Sequence, residues 1–413
     1  MAAPSPNYKT QLGLNCDVPQ ELVDHVIDHH HADRETLKAC SLVSRAWTPS
    51  SQLHLFESVS VPYSAPDFLA FLDASPRIAQ YIRRLRFFPE IRKGRLVTII
   101  CPLHMIPPVL HRLTNLTSFE LDNMCTVCLC KSPIGGATTS FSLGALSIQD
   151  VADYDRDARE GISQLLNTIS SVKRFDVAYK SGQNGSFRDD PQDPDKQDGF
   201  TRSTIAVQET FFDTPRATFW CRALLFSPSV NTLRTLVIVI YNLTDLQAAV
   251  RLAMGSKVLH HLYLEMGPFS LKNVPRDGGG AGPARRIVLP ELLKCDSLHT
   301  ISLTATDVAI KADYYQRVCG DIADLLMYVP PTVKQVDIIS GGEDEARKLF
   351  MANVDREVYK SALEKMQGLQ EVRVFVKTND QKVLDEIEAD LVQTVVPRRV
   401  QLTVATSSKG PIF

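Results

Sequence analysis

The residues with the most evident reactive chemistry are clustered thiols and imidazoles. The run "CTVCLC" sets Cys125, Cys128 and Cys130 close together, and a Cys-x-x-Cys pair is half of a tetrahedral zinc site because thiolates are soft anionic ligands. The other half does not recur at any usual spacing, so the run reads as buried or half-buried thiols in a packed element. His25 and His29 stand four apart with His30 and His31 beside them, a spacing that puts two imidazoles on one helical face within reach of a shared metal. A solvated turn accommodates the same histidines, and no metal site is expected. The run "GGGAGPARR" has the glycines of a phosphate cradle but no Gly-Lys-Ser/Thr ending, and Pro283 removes an amide that a cradle would use. Neither a Gly-x-Ser-x-Gly elbow nor a His-Glu-x-x-His helix occurs. The sequence thus names no catalytic residue and implies no cofactor. A binding role is expected, with an α/β enzyme assembled from distant residues as the alternative.

Composition and periodicity set the elements that would position a binding surface. Of 413 residues, 44% are apolar and 22% charged, the balance of an ordinary globular chain with a substantial core. With 45 basic against 47 acidic residues, bulk charge points to neither a nucleic-acid nor a membrane-surface partner, although a local patch is compatible with it. No apolar run is long enough to span a bilayer, and no charged leader precedes an apolar stretch, so an intracellular protein of the cytoplasm or nucleus is expected. Nine cysteines, an odd number, suit free thiols in a reducing compartment.

The densest apolar design lies in "VPQELVDHVIDHHHADRETLKACSLVSRAW", Val18 to Trp47. Asp17 is a candidate N-cap, Pro19 is tolerated in a first turn, and Gln20 completes a capping-box pattern. Leu22, Val23, Val26 and Ile27 come next at helical spacing. Asp33 is placed to cap a second helix carrying Leu37, Cys40, Leu42 and Val43, and Thr48 with Pro49 opens a third carrying Leu53, Leu55 and Phe56. Three short helices in about forty-five residues bury their apolar surface poorly alone, so they either dock a partner or cap the rest of the chain.

The run "VPQELVDHVIDHH…LKACSLVSRAWTPSSQLHLFESVSV" resembles an F-box, in the form common in fungal F-box proteins. Val18 stands where that form has leucine, and "HHHAD" separates the first two helices. The resemblance implies that Pro19, Leu22, Val26, Ile27, Cys40, Leu42, Val43 and Trp47 divide between the F-box core and a contact with the Skp-type adaptor of cullin-RING ubiquitin ligases. It also implies a non-catalytic substrate receptor of an SCF-type ligase. A ligase-independent scaffold built on the same repeats is the second reading.

Beyond Val61 the pattern apolar-x-x-apolar-x-apolar recurs at Ile82/Leu85/Phe87, Leu116/Phe119/Leu121, Leu143/Leu146/Ile148, Val172/Phe175/Val177, Leu233/Leu236/Ile238, Leu259/Leu262/Leu264, Leu298/Ile301/Leu303, Val333/Val336/Ile338 and Leu369/Val372/Val374, with a weaker copy near Val400 and Leu402. Starts lie about 26 to 39 residues apart, with one gap of about 61. Helical segments precede most copies. The expected fold is therefore α/β: a three-helix unit over residues 16–60, then an irregular leucine-rich-repeat-like solenoid with a parallel sheet over 61–406. Residues 1–15 are expected to be a flexible start, 181–204 a mobile insertion, "NVPRDGGGAGPARR" a second loop and 407–413 a tail. A doubly wound α/β domain gives the same alternation and is the competing fold. Outward strand positions are the candidates for target recognition, namely Glu120, Tyr263, Glu265, Arg373, Phe375 and Lys377.

Overall fold

The structure, a computed structural model, describes residues 18–62, 65–88, 91–92, 95–96, 106–124, 141–150, 162–163, 165–179, 203–266, 294–305, 312–340, 355–376, 378 and 380–406. The three cysteines of "CTVCLC", Lys377, Asp17, the "GGGAGPARR" loop, the 407–413 tail and nearly all of the 181–204 insertion lie outside these residues.

Three ten-residue helices open the chain: α1 Gln20–His29, α2 Arg34–Val43 and α3 Thr48–Glu57. Asp33 caps α2 as its position predicts, accepting from the backbone N–H of Glu35 and of Thr36 at 3.1 Å each. The start of α1 differs from expectation. Pro19 itself holds the N-cap position, without a side-chain cap, and the Gln20 amide serves Asp24 at 2.8 Å and the Ala46 carbonyl at 3.3 Å. Thr48 is likewise already helical rather than a cap; its hydroxyl donates to the carbonyls of Ser41 and Ser44, at 3.0 Å each, and fastens α3 to the end of α2.

Twelve strands then form one parallel sheet. They are β1 Ser58–Pro62, β2 Arg84–Phe88, β5 Ser118–Met124, β6 Phe141–Asp150, β7 Ile169–Tyr179 and β8 Ala206–Asp213. The series continues with β9 Thr235–Ile240, β10 His261–Met266, β11 Thr300–Ala305, β12 Gln335–Ser340, β13 Glu371–Val376 and β14 Gln401–Thr406. Among the described residues, the two short strands β3 Ile91–Arg92 and β4 Arg95–Leu96 pair only with each other. Spatial order in the large sheet runs in chain order without reversal. A doubly wound sheet reverses direction at a switch point, so the competing fold does not describe this topology; unidirectional winding is that of a repeat solenoid.

The register explains why the apolar triplets matter. Their last two members form two continuous ladders on one face: Val59, Leu85, Phe119 and Leu146 stand side by side in one, Val61, Phe87, Leu121 and Ile148 in the other. The same ladders run on through Leu236, Leu262, Ile301, Val336 and Val372, and through Ile238, Leu264, Leu303, Ile338 and Val374. Burying each such side chain contributes about 1.5–3 kcal/mol, and no single turn buries its row alone.

Two features depart from what the triplets predict. The gap of about 61 residues is filled by β8, where Thr210 occupies the ladder position between Phe175 and Leu236; a hydroxyl at 2% exposure breaks the apolar pattern. The sheet also begins earlier than residue 61, because β1 starts at Ser58 and pairs with β2.

Helices cover the ladder face. Among them, Ala217–Leu225 and Leu243–Gly255 bury Trp220, Leu224, Leu246 and Leu252 completely. Phe175 lies edge-on to both Phe212 and Trp220, at centroid distances of 5.8 and 5.5 Å. Asn242 caps the helix Leu243–Gly255 by accepting from the Asp245 N–H at 2.9 Å.

Candidate partner-binding surfaces

The apolar residues of α1 and α2 do not form single stripes. Val23, Ile27, Leu37 and Cys40 point inward and make a small core against which Trp47 and Leu55 pack. Leu22 and Val26, one position earlier in each pair, point outward at 57% and 43% exposure, and Leu42 and Val43 are exposed at 86% and 64%. Of the residues matched to the F-box pattern, Ile27 and Cys40 are therefore core, Trp47 is half-buried beside it, and Pro19, Leu22, Val26, Leu42 and Val43 face solvent. Val23 and Leu37 complete the core, and the four-residue spacings Val23–Ile27 and Leu22–Val26 leave open which pair turns inward. The Gln20–Ala46 hydrogen bond sets the first turn of α1 beside the turn after α2, so Val18, Leu22 and Val43 belong to one end of the unit.

Helix α3 belongs to two cores at once. Leu55 packs on the small one and Phe56 on the large one. The strand β1 starts at the residue after α3 ends, and the Arg83 N–H donates to the Glu57 carbonyl at 3.0 Å.

The face of the sheet opposite the helices carries a second ordered row. In register it reads Ser60, Arg86, Glu120, Ser147, Asp176, Phe211, Val237, Tyr263, Ser302, Asp337, Arg373 and Thr403. Glu120, Tyr263 and Arg373 of the predicted set thus share one row, while Glu265 and Phe375 share the next. Tyr263 is not the surface residue expected: at 5% exposure it is buried with Val237 and Ile339, with Phe211 and Phe375 against them. Alternation gives the face a side chain takes but not what its neighbours cover.

Toward its two ends this row carries ion pairs. Arg86 bridges Glu120 and Asp122. Arg373 binds buried Asp337 through Nε and Nη2, at 2.8 and 2.7 Å, and lies over the Phe375 ring at 5.5 Å. Ser302 donates to Asp337 at 2.9 Å, and its Oγ lies 2.9 Å from His261 Nε2. The three side chains do not make a nucleophilic triad. Ser302 is fully buried, and its proton is committed to the carboxylate rather than to the imidazole.

Burial pushes the Glu265 carboxyl up to about 7, with Asp213 adding like charge. Asp245, fully buried and held by the Thr218 hydroxyl at 2.9 Å, is likewise raised to about 7 by desolvation. The thiols of Cys295 and Cys319 are pushed up to about 12 by burial, which leaves them protonated and unreactive. Among the described residues no three His, Cys, Asp or Glu side chains are grouped to hold a metal. His29 and His30 contact each other edge-on, at 5.3 Å between ring centroids, and His54 bonds Asp28 at 2.7 Å. No helix among the described residues is long and apolar enough to cross a membrane.

Comparison with known proteins gives little beyond this geometry. No protein family matches the sequence, and no curated protein matches it. Among solved structures, one chain of the crystal structure of the Rad7 and Elc1 complex in yeast is similar at 12% identity and a TM-score of 0.26, over 86% of this chain and 88% of that one. A score that low carries no argument about function.

Proposed function

We propose that this chain is a non-catalytic substrate-recognition subunit of an SCF-type cullin-RING ubiquitin ligase. In this reading α1–α3 dock a Skp-type adaptor, a cullin joins through it, and the sheet holds a target protein in the cytoplasm or nucleus. The observation that supports it is the exposed apolar set Val18, Leu22, Val26, Leu42 and Val43, borne by the stretch that resembles an F-box. Exposed apolar side chains stabilise a complex when a partner removes them from water. The inward set keeps the helices folded while the outward set meets the partner. Function then comes from proximity: a target held beside a charged enzyme reacts at high effective concentration, with no bond chemistry from this chain.

Co-purification with a Skp-type adaptor, followed by thermal unfolding with and without it, tests the reading. Adaptor at a hundred times its dissociation constant adds about 2.7 kcal/mol, so capture and a raised midpoint are expected together. The double variant Leu22→Asp, Leu42→Asp alters only exposed side chains and should abolish capture without moving the midpoint of the free chain. Undiminished capture by that variant would sink the assignment.

A further inference from the structure

A third row runs along the N-terminal edge of the sheet, one residue before most of the strands. It passes from Arg234 to His260, His299, Lys334 and Gln370, each backbone N–H donating to the carbonyl of the rung before at 2.8 to 3.0 Å. Arg234, His260 and Lys334 are exposed and His299 is half-buried. The rings of His260 and His299 stack at 5.1 Å. Burial, and after it the charges of Lys334 and His260, make protonation of His299 harder. Rungs of a parallel sheet lie about 4.8 Å apart, so four basic or imidazole side chains stand in a single file.

The cations of this file differ from those on the open face. Arg86, Arg174 and Arg373 each have a carboxylate partner, whereas Arg234 and Lys334 form no ion pair among the described residues. The adjoining row on the same strands, Thr235, His261, Thr300 and Gln335, carries no acid. Glu209 and Glu371 bound this window on β8 and β13. Among the described residues, the turns leading into β10 and β11 add Lys257 and Lys294 against one acid, Asp296.

We propose that this edge of β9–β12 is a docking strip for an acidic, Glu/Asp-rich peptide segment of the target. The inference rests on the reading of the sheet as the part that holds a target, and it names the chemistry that the target presents. Complementary charge is the argument. Arg234 and Lys334 are cations without a carboxylate partner among the described residues, and the carboxylates of an extended acidic segment laid across the strands supply those partners. A peptide fits better than a single-stranded nucleic acid, which needs exposed aromatic platforms between its cations: no Phe, Tyr or Trp stands on either of these two rows over β9–β12, and the imidazoles of His260 and His299 stack on each other.

Fluorescence anisotropy of a short labelled Glu-rich peptide with the full chain tests the proposal, alongside a labelled single-stranded RNA. The peptide is expected to bind at low salt and weaken as salt rises. Arg234→Glu with Lys334→Glu should weaken it about tenfold or more, with the thermal midpoint and adaptor capture unchanged. Arg234→Ala with Lys334→Ala repeats the test without added negative charge, so a fold defect in the first variant does not decide the matter. Absence of peptide binding at low salt, or equal binding by the alanine variant, overturns the proposal. Tighter binding of the RNA, with displacement of the peptide, overturns the peptide assignment. Loss of adaptor capture belongs to Leu22 and Leu42 and is read separately, so either proposal can fail alone.

Discussion

The N-terminal helices and the sheet treat the same kinds of side chain in opposite ways. Between Val18 and Val43, five large apolar residues are exposed, whereas among all the remaining described residues only Phe71, Phe226 and Val392 are. The sheet buries most of its apolar residues on two ladders, and its opposite face joins paired charges to a small apolar cluster around Tyr263. The helical unit keeps a core of four and turns the other five outward. A domain that hides its apolar surface is complete alone; one that displays it is shaped for a second molecule.

Four measurements put that contrast at risk. The largest effect is expected for Phe175→Ala, which removes the ring between Phe212 and Trp220. It should cost about 3–5 kcal/mol in denaturant unfolding of the sheet, and a loss under about 1 kcal/mol would mean that the ladders are not the main source of stability. Ile27→Ala empties the small core and should cost about 2–5 kcal/mol. That loss should fall on the first helices, seen as faster amide exchange over α1 and α2 while the amides of β9–β13 stay protected; uniform loss would make the two regions one cooperative unit.

Smaller, and opposite in sign to acid denaturation, is a pH effect from the sheet side. Glu265 and Asp245 are raised to about 7 in the fold from ordinary values of 4.5 and 3.8. Their protonated forms are favoured by folding, so their contribution is full below the unfolded values and is lost as pH rises through the window toward about 7. Urea midpoints taken across that window should fall with rising pH, and Glu265→Gln with Asp245→Asn should flatten the slope; an unchanged slope would remove these two groups as its cause. The smallest effect is expected for Leu22→Asp with Val26→Asp, within about 0.5 kcal/mol of the parent in the free chain. A large loss there would show that the outward set is structural.

Much of the fold is legible in the sequence, because each apolar triplet places two residues on the buried ladders and sets its strand. The strand β8 escapes because Thr210 replaces the expected apolar side chain. The cap at Asp33 arises from local hydrogen bonding, which the sequence states directly; the cap at Asn242 is not read from it. The division of α1 does not. Leu22, Val23, Val26 and Ile27 offer two equally apolar pairs, and the packing of α1 against Leu37 and Cys40 of α2 and Leu55 of α3 decides that Val23 and Ile27 turn inward. Tyr263 defies its expected exposure for a related reason, since burial on the open face depends on Val237 and Ile339 from strands distant in sequence. The edge file from Arg234 to Lys334 is hidden in the same way, its members lying between about 26 and 39 residues apart.

The absence of any linker between α3 and β1 fixes a distance. Strands β9 to β12 are the seventh to tenth in the sheet, so at about 4.8 Å per strand they lie about 30 to 45 Å along the arc from β1. Leu55 and Phe56 pack against the two cores from adjacent positions, which ties the helical unit to the start of the sheet. A molecule held on those strands stands off from the helical unit like a load on a bracket, and its reach is set by the number of strands between them.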